Sequence, residues 1–153
     1  MQVDPFKKNI MENKFFNIKI KYLKQLEDQS IKKVSEQYVL KAYSFTDAEA
    51  KIVKNLENII PEFNITSCNP FNIQDVRFDK SRENFFKVKI AYENVDIDTG
   101  KTKKIIENYI VQGDEIKDVT NSTNQLLNGC TMDYTIENVQ LTKIKNVFYE
   151  VSK

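Results

Sequence analysis

The chain has 153 residues, 41% of them hydrophobic, and its 23 Lys+Arg against 22 Asp+Glu leave a net charge of +1. That length bounds it to one domain or two small subdomains, and the charge balance removes the simple electrostatic case for nucleic acid or an anionic membrane, though not a local basic patch. There is no histidine, which excludes Ser–His and Cys–His nucleophile pairs and His-containing zinc sites and takes away the commonest general base near neutral pH.

Residues 1–13, with Pro5, Asn9 and Asn13, read as an N-terminal arm that Phe6 and Ile10 can tack to the body. No apolar signal core follows Met1, and no apolar run approaches the roughly 20 residues needed to span a bilayer. With only two cysteines, Cys68 and Cys130, the chain is expected to be reduced, soluble and cytoplasmic, with no membrane partner. Over Phe15–Leu23 the apolar residues Phe16, Ile18, Ile20 and Tyr22 alternate with polar ones, the period of a half-buried strand, with Lys19 on the wetter face. Leu26–Ser30 is turn-like, and Ile31–Ala42 is a second strand with Val34, Tyr38 and Leu40 on one parity, completing a hairpin. Thr46 and Glu49 have capping-box spacing, with Phe45 at the staple position. The predicted helix carries Ala48, Ile52, Leu56 and Ile59 in one stripe and stops at Pro61. Phe63 and Ile65 begin a third strand, Asn69-Pro70 a turn, and Ile73–Phe78 a fourth strand. Asp79–Asn84 is a polar linker.

The same order then returns. Phe85–Tyr92 repeats the alternation of the first strand, with Lys89 outward, and Asp98-Thr99-Gly100 makes a hairpin turn into Thr102–Gln112. After Gly113-Asp114 a helix places Ile116, Val119, Thr123, Leu126 and Leu127 on one side and stops at Gly129. Tyr134 and Ile136 start the next strand, and Ile144, Val147 and Tyr149 the last. From Lys32 onward the halves align at a shift of 71 without gaps, so that Glu36 meets Glu107, Tyr38 meets Tyr109, Leu56 meets Leu127 and Val76 meets Val147. The opening strands align at a shift of 70. The fold expected is α+β: a tandem duplication of a β-β-α-β-β unit, residues 14–80 and 81–153, forming antiparallel sheet with one helix per repeat in a pseudo-twofold arrangement.

Three stretches carry a resemblance: Ser44-Phe45-Thr46-Asp47-Ala48-Glu49-Ala50, Phe85-Phe86-Lys87-Val88-Lys89, and Met132-Asp133-Tyr134 ahead of an Ile. Over about residues 15–150 the chain resembles an uncharacterised family, a domain of unknown function seen in Bacteroidetes and their phages, crAss-like phages among them. The resemblance implies a small intracellular protein of a phage or a phage-rich genome. It supplies no catalytic residue.

Glu36 and Glu107 stand on the core-facing parity of their strands, each between apolar neighbours. They are either paired acids that could hold a divalent cation or charges that reach water, pair with Lys or guard a sheet edge. Lys19, Lys21, Lys87, Lys89, Lys103 and Lys104, with Lys32, Lys33 and Lys101, can gather on a basic face between aromatics, as single-stranded nucleic-acid binders use. The bland alternative is a solvated strand face, since the aromatics share parity with Ile and Val. Asp96, Asp98 and Gly100 begin like a calcium loop but lack the closing Glu, so a β-turn is expected. Cys68 and Cys130 do not correspond between halves and are read as packing residues. The three glycines stand at element ends and form no phosphate loop. The expectation is a non-enzymatic binding module with no catalytic residue, metal or cofactor, whose partner is a protein or a second copy. Nucleic-acid binding through the Lys face is the first alternative, and a carboxylate-based metal enzyme the second.

Overall fold

The computed structural model describes residues 13–149; the N-terminal arm lies almost wholly outside them. The chain divides into two compact units. One holds the described residues up to Phe71 and again from Ile144, the other Asn72–Lys143.

In the first unit β1 (Lys14–Gln25) and β2 (Ile31–Ala42) form an antiparallel hairpin paired from Lys14↔Ala42 to Gln25↔Ile31. Helix α1 (Phe45–Leu56) follows, then β3 (Asn64–Pro70) antiparallel to β1. The sheet is completed by β8 (Ile144–Phe148), which runs parallel to β2, giving the order β3-β1-β2-β8. The second unit pairs β5 (Asn84–Val95) with β6 (Thr102–Gly113), adds helix α2 (Ile116–Leu126) and sets β7 (Tyr134–Leu141) antiparallel to β5. Here β4 (Asp75–Arg77) lies parallel to β6, and the order is β4-β6-β5-β7.

The chain is thus α+β, but the sheets are mixed rather than antiparallel. Alternation of apolar residues marks a strand without marking which edge it joins, and the short β4 and β8 join the strand on the far side of the hairpin. Pro70, which lacks an N–H, closes β3. Phe71 N–H then donates to Phe15 C=O, so no tight turn sends the chain back along β3. Divided at residues 80/81, the last strand of each sequence half therefore pairs in the sheet that holds the hairpin of the other.

Alternation determines the core. Phe16, Ile18 and Ile20 of β1 and Tyr38, Leu40 and Ala42 of β2 share one sheet face, and α1 covers it with Ala48, Ile52 and Leu56. Phe86, Val88, Ile90 and Tyr92 do the same under Val119 and Leu127 in the second unit. Burying each such side chain contributes roughly 1.5–3 kcal/mol. Thr123 joins that buried face because its hydroxyl donates to Val119 C=O at 2.7 Å.

Three local expectations shift. Helix α1 is capped by Ser44, whose hydroxyl accepts Asp47 N–H at 3.1 Å while the Asp47 carboxylate accepts Tyr43 N–H at 2.9 Å. The cap is therefore two residues upstream of Thr46, and Phe45 lies inside the helix and is half-exposed. The helix ends at Leu56, five residues before Pro61, so Ile59 leaves the stripe and faces solvent while Ile60 is buried in its place. Ile116 of α2 is likewise exposed. Gly129, at φ +91, supplies the left-handed residue that the chain needs to leave α2.

Candidate functional site

The hairpin register explains where the two strand acids point. Ile20 pairs with Glu36, so Glu36 sits on the helix-covered face with Tyr22 diagonal to it and Tyr38 two residues along its own strand. Both tyrosine hydroxyls donate to its carboxylate, Tyr22 to Oε1 and Tyr38 to Oε2, the latter at 3.1 Å. In the second unit Tyr109 donates to Glu107 Oε2 at 2.9 Å, and Tyr92 packs beside them. A carboxylate on a core-facing parity is tolerated here because each is met by hydroxyl donors at the end of the sheet.

The acids act back on the tyrosines. The hydrogen bond to Glu36, with burial and the nearby negative charge added, pushes Tyr22 up from 10.0 to about 12. Burial first, then the Glu36 charge, raises Tyr38 further. Burial and the bond to Glu107 raise Tyr109, and burial raises Tyr92. All four hydroxyls stay protonated at neutral pH and serve as donors, not as bases or nucleophiles. Among the described residues no three metal-ligating side chains cluster. Glu36 and Glu107 belong to different units.

Two cavities open beside the Glu36 clamp. One of about 640 Å³ is lined by Glu36, Tyr38, Lys24, Ile59, Ile60 and Lys145 among others. The other, about 850 Å³, shares Tyr22, Leu23, Pro61 and Glu62 with it and reaches Glu49 and Phe63. Of the walls named, only Glu36 was singled out in the sequence as a candidate site residue; Glu49, Ile59, Pro61 and Phe63 were read there as structural positions. Their signal lies in tertiary placement: the turn after α1 and the bulged Lys145 of β8 come to one end of the sheet.

The lysines divide by unit. Lys19 and Lys21 lie in the first unit, exposed on the sheet face away from α1. Lys87, Lys89, Lys103 and Lys104 lie in the second. There Glu137, extruded at the bulge in β7, meets Lys104 Nζ at 2.6 Å and Lys89 Nζ at 3.8 Å. The Lys104 contact, with both positive charges, holds the Glu137 carboxyl below its ordinary range. Lys103 has the parity of Ile105 and so lies on the helix-covered side of β6. The Asp96 loop is the expected turn: its carboxylate accepts Asp98 N–H at 2.9 Å, and Gly100 N–H donates to Asp96 C=O at 2.8 Å. Cys68 packs partly buried against the first core, whereas Cys130 is exposed, because it falls in the turn around Gly129.

Comparison with known families settles the kinship. Residues 14–150 match the family described as Domain of unknown function (DUF4494). The chain belongs to this family. The match spans every strand and helix of the DUF4494 chain described above. No curated protein matches it. No helix among the described residues is long and apolar enough to cross a membrane.

Proposed function

We propose that this DUF4494 protein is a non-enzymatic binding module that takes an extended segment of a partner protein against its projecting hairpins. One observation carries the reading. β3 follows β1 only as far as Lys21, and β8 meets β2 only from Gln37. The stretches Tyr22–Gln25 and Ile31–Glu36 therefore project as a two-stranded ribbon with both outer edges unpaired among the described residues. Its tip exposes Leu23 at 64% and Ile31 at 70%. The second unit does likewise: β4 reaches only Tyr109–Val111 of β6, and Ile97, at the hairpin tip, is 96% exposed. Open edges flanked by exposed aliphatics are the arrangement that strand addition uses.

The module reading extends to history and setting. The shared alignment, the paired tyrosine clamps and the matching bulges at Lys19/Ile20 and Lys89/Ile90 support a tandem duplication of a β-β-α-β-β unit. The resemblance to a Bacteroidetes and phage family supports a phage-related protein working in a host cytoplasm. A nucleic-acid reading keeps one specific support: among the described residues Lys19 and Lys21 have no carboxylate partner, unlike Lys89 and Lys104.

Affinity capture with the parent and with a Leu23→Lys/Ile31→Lys variant, followed by amide exchange on the captured complex, tests the proposal. A partner lost with the variant, together with new protection over Ile31–Glu36, supports it. A partner indifferent to the variant refutes it, as does steeply salt-dependent oligonucleotide binding that Lys19→Ala/Lys21→Ala abolishes.

A further inference from the structure

The cavity beside Glu36 has features that neither the clamp nor the strand edges account for. Its volume of about 640 Å³ lies within the roughly 300–1,000 Å³ usual for small-molecule sites. Two lysines, Lys24 and Lys145, and two glutamates, Glu36 and Glu62, line it together with the aliphatic walls Ile59 and Pro61. Balanced charge favours no simple ion; it suits a molecule that carries both signs and an apolar body. Each Glu36 oxygen accepts one tyrosine hydroxyl and keeps acceptor capacity for another donor. The tyrosines stay protonated, so the carboxylate is held in place without being neutralised by a base of its own.

The second unit serves as an internal control. At the corresponding positions the clamp is kept, with Tyr92, Glu107 and Tyr109 for Tyr22, Glu36 and Tyr38. Of the rest, Glu62 meets Asp133 and Pro61 meets Met132, which keep an acid and an apolar side chain, but Lys24 meets Asn94, Lys145 meets Gln74, Ile59 meets Cys130 and Ile60 meets Thr131. A clamp needed only to satisfy a strand carboxylate requires none of these, and the second unit does without them. The basic pair and Ile59 occur together only in the first unit.

We propose that the first unit binds a short aliphatic peptide by its free termini, with the ammonium on Glu36 and Glu62, the carboxylate on Lys24 and Lys145, and the side chains on Ile59 and Pro61. The site shares Tyr22, Leu23, Lys24 and Glu36 with the projecting ribbon but uses side chains where strand addition uses backbone, so a failure of dipeptide binding and a failure of partner capture are told apart.

The test is calorimetric titration of the full chain with leucyl-leucine, its N-acetyl form and its C-terminal amide. A parallel titration uses Lys24→Ala/Lys145→Ala, whose side chains lie outside the hydrophobic core cluster. The expected result is saturable binding that weakens about tenfold or more when either terminus is blocked, and about as much in the double variant with the carboxylate free. The amide should lose nothing further in that variant, since its contact with the lysines is already gone. No heat at millimolar peptide overturns the proposal. So does equal binding of the blocked forms, which would mark a merely apolar hollow, or a double variant that binds like the parent.

Discussion

Replacing Tyr22 by Phe removes one hydroxyl from the Glu36 clamp and leaves the ring in place. The rise of the Tyr22 hydroxyl from 10.0 to about 12 corresponds to ~2.7 kcal/mol at about 1.36 kcal/mol per unit. Tyr22 is only part-buried, and solvent screening reduces the realised share to about 1 kcal/mol. The sign follows from linkage. The folded state holds this proton more tightly than the unfolded chain, so the contribution is complete below pH 10 and is lost as pH rises through about 12. Tyr22→Phe is therefore expected to be about 1 kcal/mol less stable than the parent at neutral pH, with the gap closing in strongly alkaline buffer as the parent loses what the variant never had. Urea denaturation followed by far-ultraviolet circular dichroism across that range measures both curves. A variant as stable as the parent at neutral pH, or a gap that does not change with pH, would refute the clamp.

Three further outcomes are expected. Ile52→Ala, at a fully buried position under the first sheet, should cost about 2–5 kcal/mol in urea denaturation; a loss below ~1 kcal/mol would mean that α1 does not seat on the core. Gly113→Ala would place a Cβ 2.7 Å from Val119 Cγ2, for a loss of about 1–3 kcal/mol, and because Val119→Ala removes that methyl, the double variant should lose less than the sum of the two single losses. Glu137→Gln breaks the exposed contacts with Lys89 and Lys104 and should change stability by less than about 1 kcal/mol; fluorescence anisotropy should show no gain in oligonucleotide binding, and a salt-sensitive gain would count for the nucleic-acid reading.

The strands and helix faces were legible because burial imposes its period directly. Ile31–Ala42 has the bounds its alternation predicts, and Ala48, Ile52 and Leu56 are the buried stripe. The helix start was less legible: Thr46 and Glu49 have capping-box spacing, yet Ser44 and Asp47 form the cap two residues upstream. The partners of β4 and β8 were not legible at all: three-residue and five-residue strands carry no mark of which edge they complete. Of the candidate site, the Glu36 and Glu107 parity was plain. Their tyrosine partners followed only once the hairpin register was known. Ile59 was misplaced, its helical period assigning it to the buried stripe although the helix ends at Leu56, and Lys145 was hidden because it reaches the cavity from a bulge.

The pairing of β8 with β2 also sets an order on synthesis. The first hairpin, α1 and β3 leave the ribosome early, yet the edge of β2 from Gln37 to Leu40 waits for Ile144–Phe148, close to the last residues described. During that interval the edge is an open template, which the matching strand of a neighbouring chain can occupy before the chain's own is made. Crowded expression should therefore yield exchanged dimers that dilution alone separates slowly.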